Sequence, residues 1–197
     1  DFPGVGVWDL SPQVVFCEPD EGLNYGFVST RGVDTPGVTA FNEAGITVSM
    51  HTRFHRDVRF SGAAVVDLGH DIARKAETLA DAVRIVRERP VASTWGIAVS
   101  SARENRAITI ETSGKQVAVV TPPEGQQWLA ATNRNRHPLM IPGQVASGPG
   151  WAEHSDGRER RARQVIERHG SVSVTDLQRL MGDHVESDDQ ARERATG

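Results

Sequence analysis

The groups in this 197-residue chain that could do chemistry are few and scattered. They are one cysteine, Cys17; two histidines four apart, His51 and His55; an asparagine, Asn133, closing an apolar run; and arginine-rich stretches at residues 134–137 and 158–163. A nucleophilic cysteine needs a basic neighbour to lower its pKa. Cys17 follows Val14-Val15-Phe16 and precedes Glu18, so it reads as a buried or half-buried strand residue. His51 and His55 end a strand-like pattern, in which four residues span about 13 Å, and no third ligand stands near them. No metal or cofactor is expected. The arginines at 134–137 lack an aromatic platform and those at 158–163 alternate with Glu159, the pattern of a solvated face. Asn133 has two readings: a turn residue, or an amide donor at a strand end that faces a cleft.

Composition narrows the class. A chain of this length supports one well-buried structural unit, and 38% hydrophobic with 24% charged residues describes a soluble globular protein. No apolar run reaches the roughly 18 residues of a membrane span, and no signal peptide is visible. A formal net charge of −4 argues against a nucleic-acid binder. One cysteine allows no intramolecular disulfide and fits a reducing compartment. Lys75 and Lys115 are the only lysines, which reads as a high-GC coding bias. A bacterial, cytoplasmic protein is the expectation.

The elements that must position these groups follow from periodicity. Val38, Ala40, Ile46, Val48 and Met50 recur at period two, with Thr47, Ser49 and His51 on the opposite face and Asn42-Glu43-Ala44-Gly45 as the turn. This hairpin follows two candidate strands, 13–17 and 25–30, and a turn-rich start at 1–12 expected to lie over other structure. Val65, Leu68, Ile72 and Ala76 mark a helix face. A second helix starts at Thr78, capped with Asp81, and stops before Pro90. Strands at 95–101, 107–112, 116–121 and 128–132 form an antiparallel meander, since their turns are too short for parallel crossovers. After a Pro/Gly-rich loop over 133–151, helices are expected at 158–169 and from a Thr175–Gln178 capping box to Gly182. Residues 1–185 are expected to be one domain and 186–197 a charged, disordered tail.

Read in order, DFPG (1–4), GVW (6–8), FNEAGITVS (41–49), AETLADAVRIV (76–86), STWGIAVSS (93–101), ITIETS (108–113), LAATN (129–133), SDGRERRARQVI (155–166) and VTDLQRLMGDH (174–184) resemble a known family. It is the acyl-coenzyme A:6-aminopenicillanic-acid acyltransferase-like family of cysteine N-terminal nucleophile hydrolases, relatives of bile salt hydrolases and penicillin V acylases. The resemblance implies an α+β fold, a four-layer αββα sandwich of antiparallel sheets, truncated here at both ends.

It also implies a function: an amide hydrolase or acyltransferase acting on linear non-peptide or side-chain amides through a cysteine thioester. In that family autocatalytic cleavage exposes the cysteine, whose own α-amine, with a pKa of about 7.7 to 8, serves as base. The nucleophile lies upstream of an Arg-Asn-x-Asp segment whose Asp matches Asp1, so this chain alone is expected to be inactive. Asp1 resembles the carboxylate that holds the nucleophile's amine, Asn133 the oxyanion donor, and Arg158 an arginine supporting the thiolate, with Arg160 or Arg161 as alternatives. His51 and Thr52 occupy the place of a second donor, supplied by one of these side chains or a backbone N–H. The expected partner is a small-molecule amide or acyl donor, with no nucleic acid and no membrane; a homo-oligomer or association with a processed N-terminal chain fits the same reading. The competing expectation is a non-catalytic αββα domain that binds an acyl or peptide ligand in a vestigial cleft.

Overall fold

Strands exist only where periodicity meets a pairing edge, and this chain pairs each strand with the next in sequence. The computed structural model describes residues 12–30, 39–169 and 172–182. The expectations for Asp1, the 1–11 segment and the 186–197 tail lie outside the described residues. A seven-stranded antiparallel meander runs β1 (Pro12–Cys17), β2 (Tyr25–Thr30), β3 (Thr39–Asn42), β4 (Ile46–Thr52), β5 (Trp95–Ser101), β6 (Arg106–Thr112) and β7 (Val117–Val120). Helices α1 (Val65–Lys75) and α2 (Leu79–Glu88) fall between β4 and β5, and α3 (Trp151–His169) and α4 (Val174–Met181) follow the meander. The described residues form two compact units. One lies within Asp1–Leu129 and Asn135–Val145, the other within Ala130–Arg134 and Ala146–Gly197.

In the first unit the sheet's even-numbered residues of β4 do the packing. Ile46, Val48 and Met50 join Phe27, Ala40, Ile97, Val99 and Ile110 against Leu68, Ile72, Ala76, Ala82 and Val86 of the helical layer. α2 starts as expected: Thr78 Oγ1 accepts from Asp81 N at 3.1 Å, and Asp81 Oδ2 accepts from Thr78 N at 3.1 Å. On the sheet's other face, Val14, Phe16, Val28 and Phe41 are exposed toward the β1 edge, with Phe16 and Phe41 edge to face at 6.1 Å. The α+β class and the meander agree with the sequence reading. Of the expected sandwich, the described residues show one sheet and the helices covering it. Among the described residues no helix is long and apolar enough to cross a membrane.

Three boundaries differ from expectation. Residues 128–132 form no strand. Pro122-Pro123 and Gly125 lead the chain off the sheet after β7, and an apolar run without a partner edge does not become a strand. Helix α3 starts at Trp151 rather than 158, with His154 N bonded to Gly150 O at 2.9 Å. Helix α4 is capped by Ser173 and Asp176 rather than Thr175 and Gln178. The ionised Asp176 offers a stronger acceptor to the N-terminal N–H groups than a neutral Gln.

The hairpin turn has a larger role than alignment. Gly45 takes φ 84° and donates to Asn42 O at 3.0 Å, a backbone that glycine adopts without strain. The buried Asn42 side chain accepts from Ile46 N at 3.0 Å through Oδ1. Its Nδ2 donates to Ala73 O at 3.0 Å and Ala76 O at 2.8 Å, satisfying carbonyls at the α1 C-terminus. One amide thus closes the turn and docks the helix. We expect Asn42→Ala to lower the unfolding free energy by about 3 kcal/mol, since buried groups lose their partners. Asn42→Asp should lose at least as much, because it keeps the acceptor for Ile46 but meets two carbonyls with no donor; denaturant melts of both variants check this.

The far ends of the helices are joined by charge. Asp71, mostly buried, accepts from Lys75 Nζ at 2.6 Å and from Arg89. Burial acts to raise its carboxyl, but the hydrogen bonds from Lys75 and Arg89 outweigh it and hold the pKa below the ordinary 3.8. A depressed folded-state pKa stabilises above the unfolded value and fades as pH falls through the folded one. Asp71→Asn should therefore flatten the acid limb of the stability profile below about pH 4, read from melting temperature against pH.

Candidate functional site

The sheet face turned away from α1 and α2 carries the polar side chains. Register places His51 opposite Gly96 and Gly96 opposite Glu111, so the three share that face on adjacent strands. Arg53 follows at the same parity one residue beyond β4, and it is only 2% exposed. A methyl on Gly96 would run into its guanidinium, so the missing side chain is what admits Arg53. Glu111 is fully buried at 0% exposure; its Oε1 accepts from Arg136 N at 2.7 Å and its Oε2 from His137 N at 3.1 Å. Burial of opposite charges over neighbouring strands is tolerable only when each is compensated.

Those two bonds begin a full accounting for residues 135–145. Asn135 N donates to Gln144 Oε1 at 2.5 Å, and Leu139 N to His137 Nδ1 at 3.2 Å. Met140 N and Ile141 N donate to His137 O, Gly143 N to Met140 O, Gln144 N to Ile141 O and Val145 N to Phe54 O. Pro138 and Pro142 have no N–H to place. His55 is part of this scaffold: its Nδ1 accepts from Asp57 N at 3.0 Å, and its ring fills the space a side chain on Gly143 would take. Among the described residues no three His, Cys, Asp or Glu side chains gather as a metal site.

Against this satisfied backbone, the Asn135 carboxamide stands apart. The residue is 2% exposed, and among the described residues neither Nδ2 nor Oδ1 has a hydrogen-bond partner. Each such group costs about 1–3 kcal/mol.

In the second unit, Arg158 Nη2 donates to Asn133 Oδ1 at 2.7 Å, and Arg134 Nη1 pairs with Asp156 Oδ2 at 2.5 Å. Desolvation lowers the Arg158 pKa, although an arginine stays cationic at any working pH. With its carbonyl held by a cation, the Asn133 amide is fixed in orientation and its NH₂ is polarised as a donor. Of the three candidate arginines, Arg158 bonds Asn133 among the described residues. Arg161 instead lines a cavity of about 250 Å³ between α3 and α4 with Arg168, Arg179, Val165 and Leu180.

The structure thus brings Asn133 and Arg158 together. It sets His51 and Thr52 on opposite faces of β4, because consecutive strand residues alternate. His51 takes the polar face, while Thr52 stands opposite Trp95, which packs against the core. Cys17 is half-buried at the end of β1, opposite Tyr25. The Tyr25 hydroxyl is 2.8 Å from His70 Nε2, and burial followed by its hydrogen bond with Cys17 pushes its pKa up to about 12.

Sequence reasoning missed Arg53, Glu111 and Asn135. The alternation Ile108-Thr109-Ile110-Glu111 already put Glu111 on the polar face, and Gly96 in an apolar strand marked a close approach. Nothing local distinguished Asn135 from its loop neighbours.

Solved structures of two hydrolases share this fold. The Caenorhabditis elegans N-acylethanolamine-hydrolyzing acid amidase ortholog superposes with TM-score 0.62 at 15% identity, over 88% of this chain and 74% of that one. A variant of conjugated bile acid hydrolase from Clostridium perfringens gives 0.61 at 10% identity, over 89% and 72%. A second variant of that enzyme gives 0.60 at 9% identity, over 88% and 70%. The chain has the N-terminal nucleophile hydrolase fold. At these identities the likeness is one of fold, and no family model or curated protein matches the sequence.

On that fold, the Glu111 carboxylate is the attachment of the 135–137 loop. Glu111→Gln keeps the volume but turns an NH₂ toward one of two N–H donors. We expect a loss of about 2–4 kcal/mol, with Arg136 and His137 amides losing hydrogen-exchange protection before those of β5.

Proposed function

We propose that this chain is the central part of an amide hydrolase or acyltransferase that works through a cysteine thioester, the cysteine lying upstream of Asp1. The observation that carries the reading is the Asn133 amide, whose carbonyl accepts from Arg158 at 2.7 Å, a bond that orients the carboxamide and polarises its N–H groups as donors. The two solved hydrolases support it: one is named for cleaving N-acylethanolamines and the other for cleaving conjugated bile acids, each an acyl group joined to an amine.

In this mechanism the thiolate attacks the amide carbon and the carbonyl oxygen becomes an oxyanion. Asn133 Nδ2 donates to that oxygen, with a second donor from the His51 side chain or the Thr52 backbone N–H. Asp1 holds the nucleophile's α-amine, which takes the thiol proton and passes it to the departing amine. Water then cleaves the thioester to the acid, or a second amine takes the acyl group. Arg158 acts as a positioning residue through Asn133.

An oxyanion donor contributes about 100- to 1,000-fold in rate. In the intact reading frame, Asn133→Ala should lower kcat for a chromogenic acyl amide by that factor with little change in KM. Retention of full activity would sink the assignment.

A further inference from the structure

We propose that Asn135 is a ligand-binding residue that recognises a primary carboxamide, or the matching cis edge of a lactam, by two hydrogen bonds. Residues 135–145 place every backbone N–H, using Glu111, Gln144, His137, Phe54 and their own turn. A segment so completely satisfied leaves one side chain with nothing to bond, and that side chain is buried. A leucine of similar volume would fill the position without any unmet polar group. The retained amide is therefore accounted for by a partner from outside the fold.

The chemistry of that partner follows from the geometry of the group. A carboxamide presents one acceptor, Oδ1, and one syn N–H of Nδ2 side by side in a plane. Its complement carries a donor and an acceptor on one edge. A primary amide does so, and so does a lactam, whose ring holds N–H and C=O cis. A trans secondary amide points the two groups in opposite directions, and an ester has no N–H. Because both atoms are shielded from solvent, binding requires the covering groups to part, and the apparent affinity is reduced by the fraction of molecules open.

This site does not depend on the hydrolase reading, and its test involves no turnover. Asn135 side-chain NH₂ resonances in the full chain, assigned by their loss in Asn135→Asp, are followed while hexanamide, δ-valerolactam, N-methylhexanamide or methyl hexanoate is added. Hexanamide and the lactam should shift them and bind at least about tenfold more tightly than the other two, as expected where a buried polar group would be left unpaired. Asn135→Leu should raise the melting temperature while abolishing the hexanamide response. Equal binding of all four probes, an unchanged hexanamide affinity in Asn135→Leu, or a lowered melting temperature for that variant would each overturn the proposal. Activity of the intact reading frame with no response at Asn135 would refute this site alone, and a response at Asn135 with no activity of the intact reading frame would refute the hydrolase reading alone.

Discussion

A carboxylate with no exposed surface dictates more of this structure than any apolar residue does. Glu111 sits one residue from the end of β6, a strand whose residues on the helical side, Ile108 and Ile110, are core. A bare buried charge would neutralise or unfold its surroundings. Two backbone N–H groups, those of Arg136 and His137, meet its two oxygens. That requirement fixes where the chain must return after leaving β7, and hence where the 135–145 loop is anchored. Gly96 on the adjacent strand is part of the same constraint, since its missing side chain is the space in which the Arg53 guanidinium lies.

The opposite layer is governed by the same logic with a neutral group. Asn42 must supply one acceptor to its own turn and two donors to α1, and only a carboxamide has both. The two residues divide the work: Asn42 fixes the helix against the sheet, while Glu111 fixes the loop. Both act by finishing backbone hydrogen bonding that regular structure leaves open at helix ends and loops. Hydrophobic burial holds the layers together without choosing a unique docking, which directional bonds then select.

How much of this was legible in the sequence depended on the range of the interaction. Strand-like runs bounded by turn residues located β1 to β7, and Thr78-x-x-Asp81 located the start of α2, because these signals are local. The strand period of two separates His51 from Thr52, so the sequence alone already assigns the two side chains to opposite faces of the strand. The 128–132 run failed because alternation describes a strand's faces and not its partner. Ser173-x-x-Asp176 competed with Thr175-x-x-Gln178 for one helix start, and the charged member prevailed. Arg53 beside Gly96, and Glu111 beneath Arg136, join residues 43 and 25 positions apart; no window of the sequence contains such a pair.

Asn133 and Asn135 show why residue type alone assigns no role. They stand two apart in a run of alternating asparagine and arginine, Asn133-Arg134-Asn135-Arg136. Asn133 has its carbonyl bonded to a guanidinium, which draws electron density from the amide and leaves its N–H bonds as the better donors. Such a group suits an oxygen on which negative charge grows. Asn135 has neither end engaged, so its donor and acceptor remain matched in strength and direction. That balance suits a neutral planar ligand, which returns one bond for each it receives. In the proposed reading one asparagine serves a charge that develops during reaction and the other a group that is polar throughout, and the difference between them arises from what each side chain touches.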